Sequence, residues 1–220
     1  MGGWDWGFAL DILPALLGGL LITFVATVLG SILAYSLGLV LALLLRTGFT
    51  PLTAAVRGFV EFVRSTPLLV QLYFLFFVLP QTFGIVLGSL TVGVIGLGVH
   101  YATYTAEVYR AGIDAVPRGQ WEAATALSLP RLRTWTGVIL PQAIPRVLPA
   151  LGNYTISMFK ETPLLLTIGV LELVGAAQEE GGTAFRYVEA YAMAGLFFLL
   201  LSYPATLLLR RLERRVGLAH

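Results

Sequence analysis

Apolar residues run along this chain in blocks long enough to cross a bilayer. No charge interrupts the run from Ile12 to Leu45, which suits one tilted helix with interfacial ends, since about 20 apolar residues already span the hydrocarbon core. A second uncharged stretch, Ser65 to Ala106, is about twice that length, and Leu79-Pro80-Gln81-Thr82-Phe83-Gly84 divides it in two. Further blocks begin near Leu148 and Ala190. The pattern predicts five spans, over residues 13–45, 65–80, 84–108, 148–176 and 190–209, in a single all-α membrane domain.

One polar block, residues 110–147, stands between the third and fourth spans, and its heart is GQWEAATALSLPRLRTWTGVILP from Gly119 to Pro141. Pro117 suits a helical first turn, and Gln120 to Leu127 are good helix formers, with Glu122 placed early where the helix dipole favours a carboxylate. Leu129 precedes Pro130, so a turn is expected there, followed by an amphipathic helix from Arg131 to about Leu140. Pro141, Pro145 and Pro149 are then expected to break the chain repeatedly. From physics alone the block reads equally as a hairpin lying on the membrane, with Trp121 and Trp135 as anchors.

Small residues recur every fourth position in the first span, at Ala26, Gly30, Ala34, Gly38 and Ala42. The third repeats the device at Gly84 and Gly88, then at Gly98, Ala102 and Ala106. Such stripes admit a close helix backbone, either within the bundle or from a second subunit.

Composition agrees with a membrane protein. Hydrophobic residues make up 57% of the chain and charged residues 12%, against roughly 25% charged in soluble domains. The first run is preceded by Asp5 and Asp11 and no basic residue, so it is expected to be a retained span, not a cleaved signal. Cysteine is absent, which excludes disulfides and thiolate chemistry. The arginines gather on one side: Arg46, Arg57 and Arg64; Arg110, Arg118, Arg131, Arg133 and Arg146; and Arg210, Arg211, Arg214 and Arg215. Arg186 alone falls with Asp5, Asp11, Glu179, Glu180 and Glu189. The positive-inside bias puts the N-terminus outside and the C-terminus in the cytoplasm. These arginines flank spans and form no basic face, so nucleic acid is not an expected partner.

The chain carries no recognisable engine. Its one lysine, Lys160, lies between Phe159 and Glu161, so there is no phosphate-binding loop. The two histidines form no zinc motif, and no nucleophile elbow occurs. Lys160 and Glu161, about ten residues into the expected fourth span, are candidate pathway groups; a cation and an anion at one depth would suit a zwitterionic solute. Lys160 could equally snorkel to lipid phosphates. Glu107 ends the third span one turn before Arg110 and reads chiefly as an interfacial pair. Gln71, Tyr101, Tyr104 and Asn153 could line a cavity or be buried with their polar atoms satisfied, and His100 is expected to pack in the bundle.

Glu122-Ala123-Ala124, Leu127, Val138, Leu140, Pro141, Gln142 and Ala143 resemble the EAA loop of ABC importer permeases. FVEFVRSTPLLVQLYF (Phe59–Phe74), YRAGIDAVPRGQWEAA (Tyr109–Ala124) and LPALGNYTISMFKETPLL (Leu148–Leu165) extend the resemblance to the polar amino-acid uptake family, and within it to permeases of ectoine and hydroxyectoine importers. The resemblance implies a five-span type I importer permease of a bacterial inner membrane, moving a polar amino acid or an amino-acid-like compatible solute by alternating access. It implies that Gly119, Glu122, Ala123, Ala124, Leu127, Ser128 and Pro141 form the coupling element, with Leu127 packed beneath the helix and Pro141 ending the lever. Ser128 stands where the family usually has Gly; a side-chain-to-backbone hydrogen bond could support that turn. The implied partners are a cytoplasmic ATPase dimer that binds ATP and magnesium, a second permease subunit of the same or a homologous chain, and a solute-binding protein received on the outer surface around Gln178 to Arg186. No cofactor is expected in this chain. The other class weighed, a channel or secondary transporter working without ATP, ordinarily shows inverted repeats, and no repeat is detectable.

Overall fold

The computed structural model describes residues 3–215, and among them every regular element is helical. A short α1 (Trp6–Asp11) leads into α2 (Leu13–Leu45), whose 33 residues reach about 50 Å at 1.5 Å per residue. α3 (Thr50–Ser65) meets α4 (Leu68–Tyr73) at a 104° bend. A π-turn at Phe74–Val78 carries α4 into α5 (Leu79–Phe83), which ends at Gly84 with φ +69°. α6 (Ser89–Asp114) returns across the bundle. Then come α7 (Arg118–Ala126), α8 (Arg131–Thr134), a second π-turn at Trp135–Ile139, and α9 (Leu140–Glu161). A 3₁₀ segment, Thr162–Ile168, leads to α10 (Leu173–Ala184) and the long α11 (Tyr187–Arg215).

Leu13–Leu45 and Tyr187–Arg214 are long and apolar enough to cross a membrane, and the bent pair α3 with α4–α5 adds a third candidate. α6 and α9, at 26 and 22 residues, have the length but carry polar groups. In lipid such helices belong inside a bundle or beside a cavity.

The core is a seam between α2 and α6. Ala26, Gly30, Ala34, Gly38 and Ala42 are all buried. A methyl group placed on Gly38 would lie 2.0 Å from Thr105 Oγ1, and one on Gly98 would lie 2.5 Å from Leu33. Thr105 Oγ1 donates to the Ala34 carbonyl at 2.8 Å, which becomes possible once the backbones are this close. The stripe of α2 therefore serves packing within the chain. In the third span only Gly98, Ala102 and Ala106 join it; Gly84 and Gly88 lie in the exposed approach to α6.

The prolines behave differently from the sequence expectation. The break at Leu79–Gly84 falls at Gly84, not at Pro80. Pro141, Pro145 and Pro149 break nothing: Pro141 sits in the first turn of α9, and the helix runs through the other two. A π-turn directly precedes both Leu79-Pro80 and Leu140-Pro141, and such local widening lets a proline ring fit. The Gln142 side chain donates to the Val138 carbonyl at 2.8 Å beside the second of these turns. The expected fourth span, 148–176, is likewise not one helix. Thr162-Pro163 tightens it to 3₁₀, and Gly169 at φ +81° turns the chain before α10 starts. Lys160 and Glu161 consequently occupy the last turn of α9 rather than its middle.

Opposite ends of the bundle are braced differently. At one end Arg46 pairs with Asp114 at 2.5 Å, and Arg146 donates to the Ala115 carbonyl. At the other, Arg186 is held by Asp5 and Glu189 at 3.3 and 2.7 Å.

Candidate functional site: a coupling face and a polar cavity

α7 stands clear of the bundle on the end that carries Arg46, Arg110 and Arg146. Ala124 is its one buried residue, 2% exposed, and turns inward. Beneath the helix lie Ile113, Val116, Ile139 and Ala143, with Trp121 and Trp135 packed edge-to-face at 5.3 Å. The tryptophans therefore hold the element against the bundle. A Gln142–Gln120 hydrogen bond of 3.2 Å adds a polar tie.

The opposite face presents Gly119, Glu122, Ala123, Ala126 and Leu127, all exposed. Their spacing of three, one, three and one places them on a single helical strip. Two expectations need correcting here. Leu127 does not pack beneath the helix; it is 72% exposed, because it ends α7 on the outward strip. Ala124 faces inward, so a partner cannot touch it. Ala126 completes the outward strip and was not anticipated, although its spacing from Ala123 and Gly119 could have revealed it.

Ser128 adopts φ +50°, the left-handed conformation in which glycine is favoured. Leu129 N donates to Ala124 O at 3.0 Å and Ser128 N to Thr125 O at 2.9 Å, the two bonds of a Schellman cap. Backbone bonds close this turn, and no bond from the Ser128 side chain occurs among the described residues. Pro141 ends no lever, since α8, the π-turn and α9 form one unbroken helical path from this turn into the bundle.

That path leads to the second part of the site. Where the α3–α4 bend meets α6 and the end of α9, a cavity of 440 Å³ opens, lined by Arg64, Thr66, His100, Tyr104, Glu161 and Leu164 among others. The Arg64 guanidinium lies 4.7 Å from the centre of the Tyr104 ring. Tyr101, Tyr104, Tyr154 and His100 form one aromatic cluster with ring centres 5.3–6.1 Å apart. Tyr101 is itself buried, 4% exposed. His100 packs against Tyr101 and Tyr104, as expected, and is half-buried at the cavity wall; its buried Nδ1 has no partner among the described residues. Arg64 entered the sequence reading as a topology marker and, like Tyr154, inside a quoted motif, with no pathway role given to either. The four-residue step from His100 to Tyr104 was the available signal.

The other pathway candidates separate. Gln71 is not free to meet a solute: its amide donates to Val63 O, Thr66 O and Thr66 Oγ1 at 2.7, 3.0 and 2.9 Å and so fixes the α3–α4 bend. Glu107 pairs with Arg110 at 2.9 Å. Asn153 and Lys160, seven residues apart on α9, are exposed on one face. Glu161 turns to the cavity, so adjacent residues project to different surroundings.

Comparison with known proteins decides the family. Residues 34–218 match the model of the binding-protein-dependent transport system inner membrane component. The chain belongs to this family. A probable amino-acid ABC transporter permease of Sinorhizobium fredii is 46% identical, with 94% of this chain and 91% of the relative covered. The glutamine transport system permease GlnP of Escherichia coli is 34% identical, with coverage of 96% and 97%. A crystal structure of an amino acid ABC transporter with histidines superposes at a TM-score of 0.90, with 34% identity and coverage of 97% and 100%. The chain is thus a membrane-spanning permease subunit of an amino-acid ABC importer with the type I fold, and it is not itself the enzyme; ATP hydrolysis resides in a separate subunit.

Proposed function

We propose that this permease carries a small zwitterion, a polar amino acid or an amino-acid-like compatible solute such as ectoine, into the cytoplasm by alternating access. The observation that supports this most is the outward strip of α7. Gly119, Ala123 and Ala126 keep it low, Glu122 gives it charge, and Leu127 gives it an apolar tip. A low strip of this kind lets a groove in another protein close tightly on the helix. The occupant is the ATPase dimer, which holds ATP and magnesium and faces the arginine-rich, cytoplasmic end. Movement of α7 passes through Trp121–Trp135 and the continuous α8–α9 path to the cavity.

Within the cavity Arg64 and Glu161 offer opposite charges to a carboxylate and an ammonium, and the Tyr104 ring in its wall meets the Arg64 guanidinium. Asn153 and Lys160 face outward from this chain, where a second permease subunit, identical or homologous, would share the pathway with them. A solute-binding protein delivers cargo at the other end, outside the cell, where the N-terminus also lies. The test is co-purification. Ala123→Trp or Glu122→Lys should insert normally yet lose at least 90% of the associated ATPase, whereas wild-type recovery with both variants would contradict the coupling role.

A further inference from the structure

At the end opposite α7, one side chain is placed where neither local backbone preference nor packing would put it. Phe185 follows α10 with φ +54°, a conformation that sterics disfavour for a bulky residue. The position is that of the glycine in a Schellman cap: Arg186 N donates to Gly181 O at 2.9 Å and Phe185 N to Gly182 O at 3.4 Å. The ring gains nothing from the chain in return, being 88% exposed. Yet the turn beneath it is rigid. Arg186 is clamped by Asp5 and Glu189, and methyl groups on Gly181 or Gly182 would press on Tyr187 and Ala190 at 3.1–3.3 Å. Val188, 74% exposed, and Trp4 flank the ring around a concavity of 790 Å³.

A strained and unsupported aromatic on a stiff pedestal is what an external contact would retain. The surrounding charge selects the kind of partner. Glu179 and Glu180 stand on the same helix end, and the nearby cation, Arg186, is already committed to two carboxylates. Such a surface repels anionic lipid headgroups and suits a protein with a basic rim.

We propose that Phe185 is the anchor by which this permease holds its extracytoplasmic solute-binding protein, with Glu179 and Glu180 facing basic residues on that protein. The proposal rests on the importer reading above. The whole transporter in lipid nanodiscs, trapped with ATP and orthovanadate, is titrated with its cognate solute-binding protein. Phe185→Gly, which suits the backbone, should raise the Kd at least tenfold without lowering the melting temperature. Glu179→Lys with Glu180→Lys should raise it and flatten its dependence on salt. An unchanged Kd in these variants, with tight wild-type binding, overturns this inference alone. Wild-type transporter that binds no such protein overturns the importer reading and this inference with it. Quenching of Phe185→Trp fluorescence by brominated lipids would assign the ring to the bilayer and overturn the proposal.

Discussion

Ser128 shows how much a single residue can report and where its sequence stops reporting. Its identity flags an unusual turn, but whether the side chain or the backbone would close that turn depends on φ, which residue type alone does not set. In the fold Ser128 takes the left-handed conformation and the backbone supplies both bonds. That conformation costs a non-glycine residue about 1–2 kcal/mol. Ser128→Gly should therefore raise stability by about 1 kcal/mol, read as a higher midpoint of thermal unfolding in detergent; a lower midpoint would mean that the serine side chain supports the turn after all. Glu189, in the first turn of α11, offers a second test. Its carboxylate accepts from the Arg186 guanidinium at 2.7 Å and from the Asp5 N–H at 3.3 Å. Glu189→Gln, which removes the charge and keeps an accepting oxygen, should lower the midpoint of thermal unfolding in detergent, and an unchanged midpoint would remove the clamp from the account.

At the scale of elements, the apolar blocks and small-residue stripes were legible because membrane length and close packing act directly on composition. α2, Leu13–Leu45, fills the uncharged run to within one residue at its start. Proline was misread. In lipid a helix keeps its backbone bonds wherever it can, so Pro145 and Pro149 are absorbed, while glycines with positive φ, Gly84 and Gly169, make the real ends. Gln71 was misread for a related reason: the three acceptors it satisfies exist only once the chain has bent. The stripe yields a sharp comparison. Gly38→Ala should cost about 1–3 kcal/mol by forcing α2 off Thr105, whereas Gly18→Ala, with nothing within 4 Å, should be neutral or slightly stabilising. Equal melting temperatures for the two variants would show that the seam is looser than described.

For the whole molecule, the chain divides its labour between two ends and a path. The end carrying α7 offers a low strip and a stiff hinge-free connection; the opposite end offers an acidic face; between them lies a cavity with one cation and one anion. The motif residues of the proposed coupling element lie along a local stretch, so they were legible in the sequence, though the reading did not separate the outward Leu127 and Ala126 from the inward Ala124. The cavity draws Arg64, His100, Tyr104 and Glu161 from three separate helices, and only the fold brings them together. What unites these parts is that the chain supplies the pathway and none of the energy. The direct test is solute uptake into proteoliposomes containing the permease assembly with or without its ATPase. Uptake should require both the ATPase and ATP, and should fall to the level of empty vesicles when either is omitted. Saturable uptake by the permease alone would contradict the account.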